Sequence, residues 1–155
     1  MLVAGIENKI IALLTEATID NVSTYVVKGI HDFLLDWDEH EEYPRIVVAC
    51  EEINLDVQMI GGAVTKEYDV NIFILCHDRS KEECLTQRDT VLERVELCLR
   101  SNIRLDNLSD AQNTERVYGT ELGRTRLSKS GMAEDYFSVA WIQFKVFTDR
   151  KNTPI

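Results

Sequence analysis

Three consecutive residues carry groups that are able to act together in catalysis: the thiol of Cys76, the imidazole of His77 and the carboxylate of Asp78. A cysteine nucleophile needs its base within hydrogen-bond reach. Cys76 continues the apolar face of an alternating segment, whereas His77 falls on the opposite face. The two side chains should therefore diverge, and Asp78 precedes a helix start that it can help to cap. We interpret the triplet as a strand-to-helix junction, with a Cys–His nucleophile as the alternative.

Metal-binding residue types are present, but they do not fall at the spacings of a familiar metal site. His31 and His40 are nine residues apart, and the chain has no CxxC or HxxxH pattern to fix a tetrahedral site. The acidic segment from Asp36 to Glu42 lacks the ligand spacing and the turn glycine of a calcium loop. The sequence therefore predicts no metal, and we interpret this segment as a solvated loop.

The glycines do not form a phosphate-binding motif. Gly61 and Gly62 are the only glycine pair, and neither a GxGxxG nor a GK[ST] pattern follows them. The chain contains no GxSxG elbow for a serine nucleophile. A hairpin bend explains the glycine pair, and the motifs of the sequence predict no cofactor and no catalytic residue.

The chain is acidic, with 27 Asp and Glu residues, 17 Lys and Arg residues and a formal net charge of −10. A surface that grips nucleic acid needs clustered Lys and Arg to displace counterions, so this composition argues against such binding. It is compatible with a surface along which DNA passes, because repulsion keeps the phosphates from adhering.

Two blocks of like charge stand out. The acidic block consists of Asp36, Asp38, Glu39, Glu41 and Glu42, and the basic block consists of Arg124, Arg126 and Lys129. Each block is typical of a solvated loop. Alternatively, the two blocks are complementary surfaces on neighbouring copies of the chain, which meet head to tail and close into a ring. A further possibility is that the acidic block lines the lumen of that ring.

Hydrophobic periodicity divides the chain into helices and strands. One amphipathic helix is predicted from about Gly5 to Ala17, and a longer one from Ser80 to Arg100, where Ser80 and Glu83 match a capping box. Strands are predicted for a short piece at 24–27 and for residues 45–53, 66–77, 116–122 and 136–147. Residues 123–135 are expected to form a long connection that holds the basic block, and residues 148–155 a flexible C-terminal tail.

This order of elements predicts one α+β domain over residues 1–155. We expect a mixed, largely antiparallel β-sheet of about four to five strands, with the N-terminal helix and one long crossover helix packed on it. No apolar run approaches the roughly 18 residues of a membrane span, and the N-terminal stretch lacks the pattern of a secretory signal. The four cysteines are expected to be free thiols in a reducing compartment.

Several of these segments together resemble the tail terminator, or tail completion, proteins of long-tailed bacteriophages. The likeness covers most of residues 3 to 148. It is carried by the amphipathic helix "IENKIIALLTEA", by "YPRIVV" before a glycine-containing turn, and by "YDVNIFILCHD" leading directly into "SKEECLTQRDTVLERVELCLR". It continues through "VYGTELGRTRLSK" and the last strand, "YFSVAWIQFKVF".

The resemblance implies a non-enzymatic structural protein of the virion that assembles in the host cytoplasm into a hexameric ring. Such a ring caps the head-proximal end of the tail tube, stops its polymerisation and offers a head-tail joining surface. Its partners would be copies of itself, the major tail tube protein and the head-completion or connector protein. DNA would pass through the central hole without specific binding. The family has no shared active site, so no catalytic residue is carried over.

Two other functions stay open at the level of the sequence. One is a different phage neck, head-tail connector or tube-like subunit of similar fold, which would differ in stoichiometry and in its position on the particle. The other is a small cytosolic enzyme or ligand-binding domain, which a deep pocket with convergent titratable groups would favour.

Overall fold

The computed structural model describes residues 2–16, 25–28, 44–57, 63–110, 115–132 and 135–151. These residues form two α-helices, α1 (Val3–Glu16) and α2 (Lys81–Ser101), and a short turn at Leu105–Asn107. The strands are β1 (Tyr25–Lys28), β2 (Arg45–Val57), β3 (Ala63–Asp78), β4 (Glu115–Met132) and β5 (Asp135–Lys151).

All of these strands belong to one sheet, in the spatial order β1-β2-β3-β5-β4. β1 pairs with β2 in parallel, whereas the β2–β3, β3–β5 and β5–β4 pairings are antiparallel. The predicted α+β class is therefore confirmed, including the mixed but largely antiparallel sheet, the N-terminal helix and the long crossover helix. Among the described strands, β1 and β4 are the two edges of the sheet.

Both helices pack on the same face of the sheet and share one apolar core. α1 contributes Ile6, Ile10 and Leu14, and α2 contributes Val91, Val95 and Leu99. A spacing of four residues places each set on one side of its helix. Even-numbered residues of β3 and β5 meet them, because successive side chains of a strand point to opposite faces. Each fully buried aliphatic side chain contributes about 1.5–3 kcal/mol to the stability of this core.

The opposite face of the sheet, which we call the outer face, carries a smaller apolar cluster. It consists of Val47, Phe73 and Leu75, with the partly buried Val139 and Trp141 packed against them. The rings of Phe73 and Trp141 stack with their centroids 5.7 Å apart. The indole nitrogen of Trp141 donates a hydrogen bond to Oδ1 of Asn71 at 2.8 Å, so the polar edge of the ring is satisfied.

The start of α2 agrees with the predicted cap. Ser80 is the N-cap residue, with an extended backbone, and its hydroxyl accepts a hydrogen bond from the amide of Glu83 at 3.4 Å. Oδ1 of Asp78 accepts from the amide of Ser80 at 2.9 Å. Side-chain oxygens thus satisfy amides that have no partner within the helix, and they fix the chain where it leaves the sheet.

The largest correction concerns residues 123–135, which the sequence assigned to a long connection. β4 continues without a break through Met132 and pairs with β5 up to Asp135, so the basic block lies on a strand. The alternation of β4 is hidden in the sequence because two bulges interrupt it, between Val117 and Gly119 and between Leu122 and Thr125. An edge strand also tolerates polar side chains that a central strand would not.

The last strand is also longer than the sequence indicated. β5 extends through Lys151, so residues 148–151 are paired with β3 rather than belonging to a flexible tail. Thr148 is fully buried and bonds to Glu115, which explains why this polar residue is held in the sheet. Residues 152–155 lie outside the described residues.

Candidate interaction site

The Cys76–His77–Asp78 triplet is a structural junction, and its side chains diverge as expected. Cys76 is fully buried in the helix-side core. His77 points to the outer face, where its ring stacks on Phe137 with centroids 4.4 Å apart. Asp78 caps the backbone at Ser80. The imidazole and the thiol therefore lie on opposite sides of the sheet, and His77 is not placed to accept the proton of Cys76.

Burial keeps the thiol of Cys76 in its neutral form. Removal from water, with the nearby Cys84 as a smaller cause, raises the pKa of Cys76 from 9.0 to about 12. Burial also raises the pKa of Cys84, whose sulfur lies 3.2 Å from the hydroxyl oxygen of Ser138. Because the thiolate is the reactive form of cysteine, neither group is activated for nucleophilic attack at neutral pH.

A buried polar cluster, absent from the sequence predictions, lies on the same side of the sheet. Glu115, the first residue of β4, is only 1% exposed. Its Oε1 accepts hydrogen bonds from the hydroxyls of Tyr68 and Thr148, the latter at 2.8 Å, and Nζ of Lys66 lies 3.8 Å from Oε2. Burial and the bond to Glu115 raise the pKa of Tyr68. The phenol hydroxyl also accepts from the amide of Leu2 at 3.4 Å.

This cluster ties four elements together at one end of the sheet. Lys66 and Tyr68 belong to β3, Thr148 to β5, and Leu2 immediately precedes α1. Both oxygens of the Glu115 carboxylate are engaged, which offsets part of the cost of burying its charge. The sequence gives little indication that Glu115 is buried, because an isolated Glu is usually exposed and its partners are more than 30 residues away.

All three members of the basic block belong to β4. Arg124 and Arg126 are exposed, and the guanidinium carbon of Arg126 lies 5.3 Å from the centroid of the Trp141 ring. That separation permits a cation–π contact on the outer face. Lys129 also belongs to β4, where its backbone is in register with Ser138 of β5. The three basic residues therefore follow one sheet edge over six positions of the strand.

β4 itself is the most prominent interaction feature of the fold. It is an edge strand 18 residues long, and β5 is its partner on one side. On the other side, Ser109 bridges to Arg116, and the amide of Val117 donates to the carbonyl of Leu108 at 2.8 Å. Among the described residues, no strand pairs with the remainder of that side. An edge strand of this length is a template on which another strand can pair.

Glycines are the signal in the sequence that identifies β4 as a strand with bulges. Gly119 lies at the first bulge and Gly123 at the second. A Cβ atom at Gly123 would lie 2.9 Å from the carbonyl oxygen of Gln143, whereas one at Gly119 would meet nothing within 4 Å. A glycine inside a strand marks a bulge or a close backbone approach, and Gly123 is both.

The acidic block, two of the histidines and the glycine pair lie outside the part of the chain that the structure describes. The residues concerned, all outside the described part of the chain, are Asp36, Asp38, Glu39, Glu41, Glu42, His31, His40, Gly61 and Gly62. Within the described part, no group of three or more His, Cys, Asp or Glu side chains is arranged to hold a metal ion. No helix of that part is long and apolar enough to cross a membrane.

Comparisons with known proteins provide no family assignment for the chain. No protein-family model and no curated protein matches the chain.

Proposed function

We propose that this protein is a structural subunit of a bacteriophage tail. In this proposal it is a tail terminator that forms a hexameric ring on the head-proximal end of the tail tube. The observation that carries the proposal is β4, an 18-residue strand at the edge of the described sheet. Its second half has no further strand partner among the described residues, and the strand carries Arg124, Arg126 and Lys129. The order of helices and strands, which is the order in the resemblance to tail terminators, supports it further.

A long open edge strand is unusual in a protein that acts as a monomer. Its unpaired N–H and C=O groups are a template for another chain, and monomeric proteins shorten, twist or cover such edges. When the contact joins two different surfaces of the same protein, repetition produces a closed ring if the rotation permits. β4 and β1 are different edges of one sheet, so the fold offers the two unlike surfaces that a ring requires.

Charge supports a ring through which DNA passes. The chain carries a formal net charge of −10, while residues 124–129 include three basic residues and no acidic one. A mostly acidic wall repels phosphates and leaves the duplex free to move. The basic stretch of one copy is complementary to the acidic surface of a neighbouring copy.

The cysteine and histidine geometry supports a role that is not enzymatic. The one catalytic arrangement that the sequence offered is divided between two faces of the sheet at Cys76 and His77. In the proposed role the partners are other copies of the chain, the major tail tube protein and the head-completion or connector protein. The protein is part of the virion, at the neck of the tail, after assembly in the host cytoplasm.

Tail tubes purified from the phage that encodes the chain provide the direct test. The purified protein is added to growing tubes, and the products are imaged by electron microscopy and their lengths measured. We expect a single ring at the head-proximal end and no further elongation. Binding along the whole tube would instead identify a tube-like subunit, and binding to the head portal without the tube would identify another neck component.

The acidic block offers a separate test of its place in the ring. If it lines the lumen, neutralising Asp36, Asp38, Glu39, Glu41 and Glu42 leaves ring formation intact but impairs DNA passage. Infectivity of particles that carry the variant is the measurement. Unchanged infectivity would contradict a position of the acidic block in the lumen. It would favour the alternative, in which this block contacts the basic block of a neighbouring copy.

A further inference from the structure

Within the described part of the chain, only the second half of β4 lacks a neighbour on its outer edge. Residues 108–110 already lie against the start of the strand. The hydroxyl of Thr120 donates to the carbonyl of Ile103 at 2.7 Å, and the bulge at residues 123–124 interrupts the ladder. The segment Thr125–Met132 is therefore the regular stretch of β4 for which the described residues supply no second strand partner.

We propose that Thr125–Met132 of one copy pairs, antiparallel, with β1 of the next copy, so that the sheet continues around the ring. The inference deepens the proposed function and rests on it, because it names the contact that closes the ring. The occupant of the open edge is thus a second copy of this chain. Three features of the sheet favour β1 as the partner of this segment. They are its position along the strand direction, its orientation relative to β4 and the residue types in the paired rows.

The first feature is the height of β1 along the sheet. One row of paired residues crosses all the strands, and it consists of Val26, Ile46, Ile74, Ala140 and Leu127. Val26 at one edge and Leu127 at the other edge therefore lie at the same level. The two edges can therefore pair over the same rows of the sheet without a shift of register along either strand.

The second feature is the direction of the strands. β1 is parallel to β2, and three successive antiparallel pairings lead from β2 to β4, so β4 runs opposite to β1. Rotation about an axis along the strands preserves the direction of each strand. β4 of one copy and β1 of the next are therefore antiparallel, which is the commoner and slightly more stable way for strands to pair.

The third feature is the chemistry of the rows. Leu127 is 53% exposed, although it belongs to the row that contains buried Ile46, Ile74 and Ala140. Pairing with β1 places Val26 of the next copy in that row, and an apolar cross-strand pair stabilises a sheet by about 0.2–1 kcal/mol. In the sequence, the acidic block falls between β1 and β2.

The dimensions of such a sheet suit a channel for DNA. Strands lie about 4.8 Å apart, so six copies of a five-stranded sheet close into a wall about 45 Å across between opposite backbones. With both helices on the outside of the wall, that opening leaves space for a DNA duplex. The same contact made with a different rotation would produce a helical filament rather than a ring.

Disulfide trapping tests the proposed row directly. A chain that carries both Val26→Cys and Leu127→Cys is oxidised under native conditions and analysed without reductant. We expect a ladder of covalent oligomers ending at the hexamer, because the two thiols lie at opposite edges of one copy and meet between copies. The matched control combines Tyr25→Cys with Leu127→Cys, which moves one thiol to the adjacent row and the other face. It should give only the background of oxidised wild type.

Hydrogen exchange on the wild-type protein supplies a measurement that needs no variant. Amides of residues 25–28 and 125–132 should gain protection when the protein assembles, at high concentration or on tail tubes, while residues 115–120 change little. Rings that form without protection or crosslinking at these two edges would overturn this contact and leave the tail terminator proposal standing. A chain that stays monomeric both alone and with tubes would overturn both.

Discussion

Glu115 shows how one charged residue can organise several elements. Its carboxylate is almost fully removed from water, which is costly unless hydrogen bonds and an opposite charge replace the lost hydration. Tyr68, Thr148 and Lys66 supply those interactions from two neighbouring strands. The cluster therefore selects the pairing of β3, β5 and β4 in which the four side chains coincide.

The hydroxyl of Tyr68 should contribute measurably to the free energy of unfolding. Tyr68→Phe removes a donor to buried Glu115 and the acceptor for the amide of Leu2, so we expect a loss of about 1–3 kcal/mol in urea unfolding. Tyr136→Phe is the matched control, since the same atom is removed from a side chain that is not fully buried, and its effect should stay within about 0.5 kcal/mol. Equal losses in the two variants would contradict this account of the cluster.

The buried thiol of Cys76 predicts a loss of stability in alkali. Its pKa is 9.0 in an ordinary environment and about 12 in the folded protein, so the native state retains a proton that the unfolded chain releases. The contribution is fully present below pH 9 and is lost as the pH rises toward 12. We expect the unfolding free energy to fall over this interval, and to fall less steeply in Cys76→Ala.

Urea titrations at a series of pH values measure how steeply the unfolding free energy falls with pH in the wild type and in Cys76→Ala. Cys76→Ala also lowers stability at every pH because it leaves a small cavity, so the comparison concerns the slopes and not the absolute values. Raised pKa values at Tyr68 and Cys84 act in the same direction, which keeps some slope in the variant. Identical slopes would mean that Cys76 ionises in the native state as readily as in the unfolded chain.

At the scale of the element, the bulges of β4 distinguish two glycines. Gly123→Ala would place a methyl group 2.9 Å from the backbone oxygen of Gln143, and backbone cannot move aside as a side chain can. We expect a cost of about 1–3 kcal/mol in thermal or urea unfolding. Gly119→Ala meets nothing within 4 Å and should be close to neutral, so it is the control. A neutral Gly123→Ala would show that the second bulge has no close approach to β5.

The elements that the sequence predicted well are those whose patterns are regular. α2 repeats apolar residues every three or four positions, and β3 alternates along most of its length, so their periods identify them. β4 was assigned in part to a loop because two bulges shift the alternation and because Arg, Lys and Ser dominate its second half. The sequence thus named Arg124 and Arg126 as candidate interaction residues, but it did not predict the edge strand to which they belong.

Long-range contacts limit sequence-based prediction at the buried cluster as well. Nothing near Glu115 in the chain indicates that it is buried, because its partners at residues 68 and 148 are brought to it by the sheet. Tyr68 was placed correctly on the apolar face of β3, since alternation alone determines that. The bond between the two residues depends on the register of three strands, which no local pattern contains.

At the scale of the whole molecule, one core joins the two helices to the sheet. α1 packs on β1 and β2, and α2 packs on β3, β5 and β4, yet their buried side chains form a single cluster. Removing either helix would expose the same face of the sheet to water. Such sharing couples the folding of elements that are distant in sequence.

We therefore expect the chain to unfold in one cooperative transition. Ile10→Ala in α1 and Leu99→Ala in α2 should each lower its stability by about 2–5 kcal/mol without creating a second step. Far-ultraviolet dichroism and tryptophan fluorescence, followed in one urea titration, should give coincident curves. Leu97→Ala is the control on α2, because Leu97 is 56% exposed and its loss should cost no more than about 0.5 kcal/mol. If Ile10→Ala instead produced a separate early transition, α1 would unfold independently of the rest of the core.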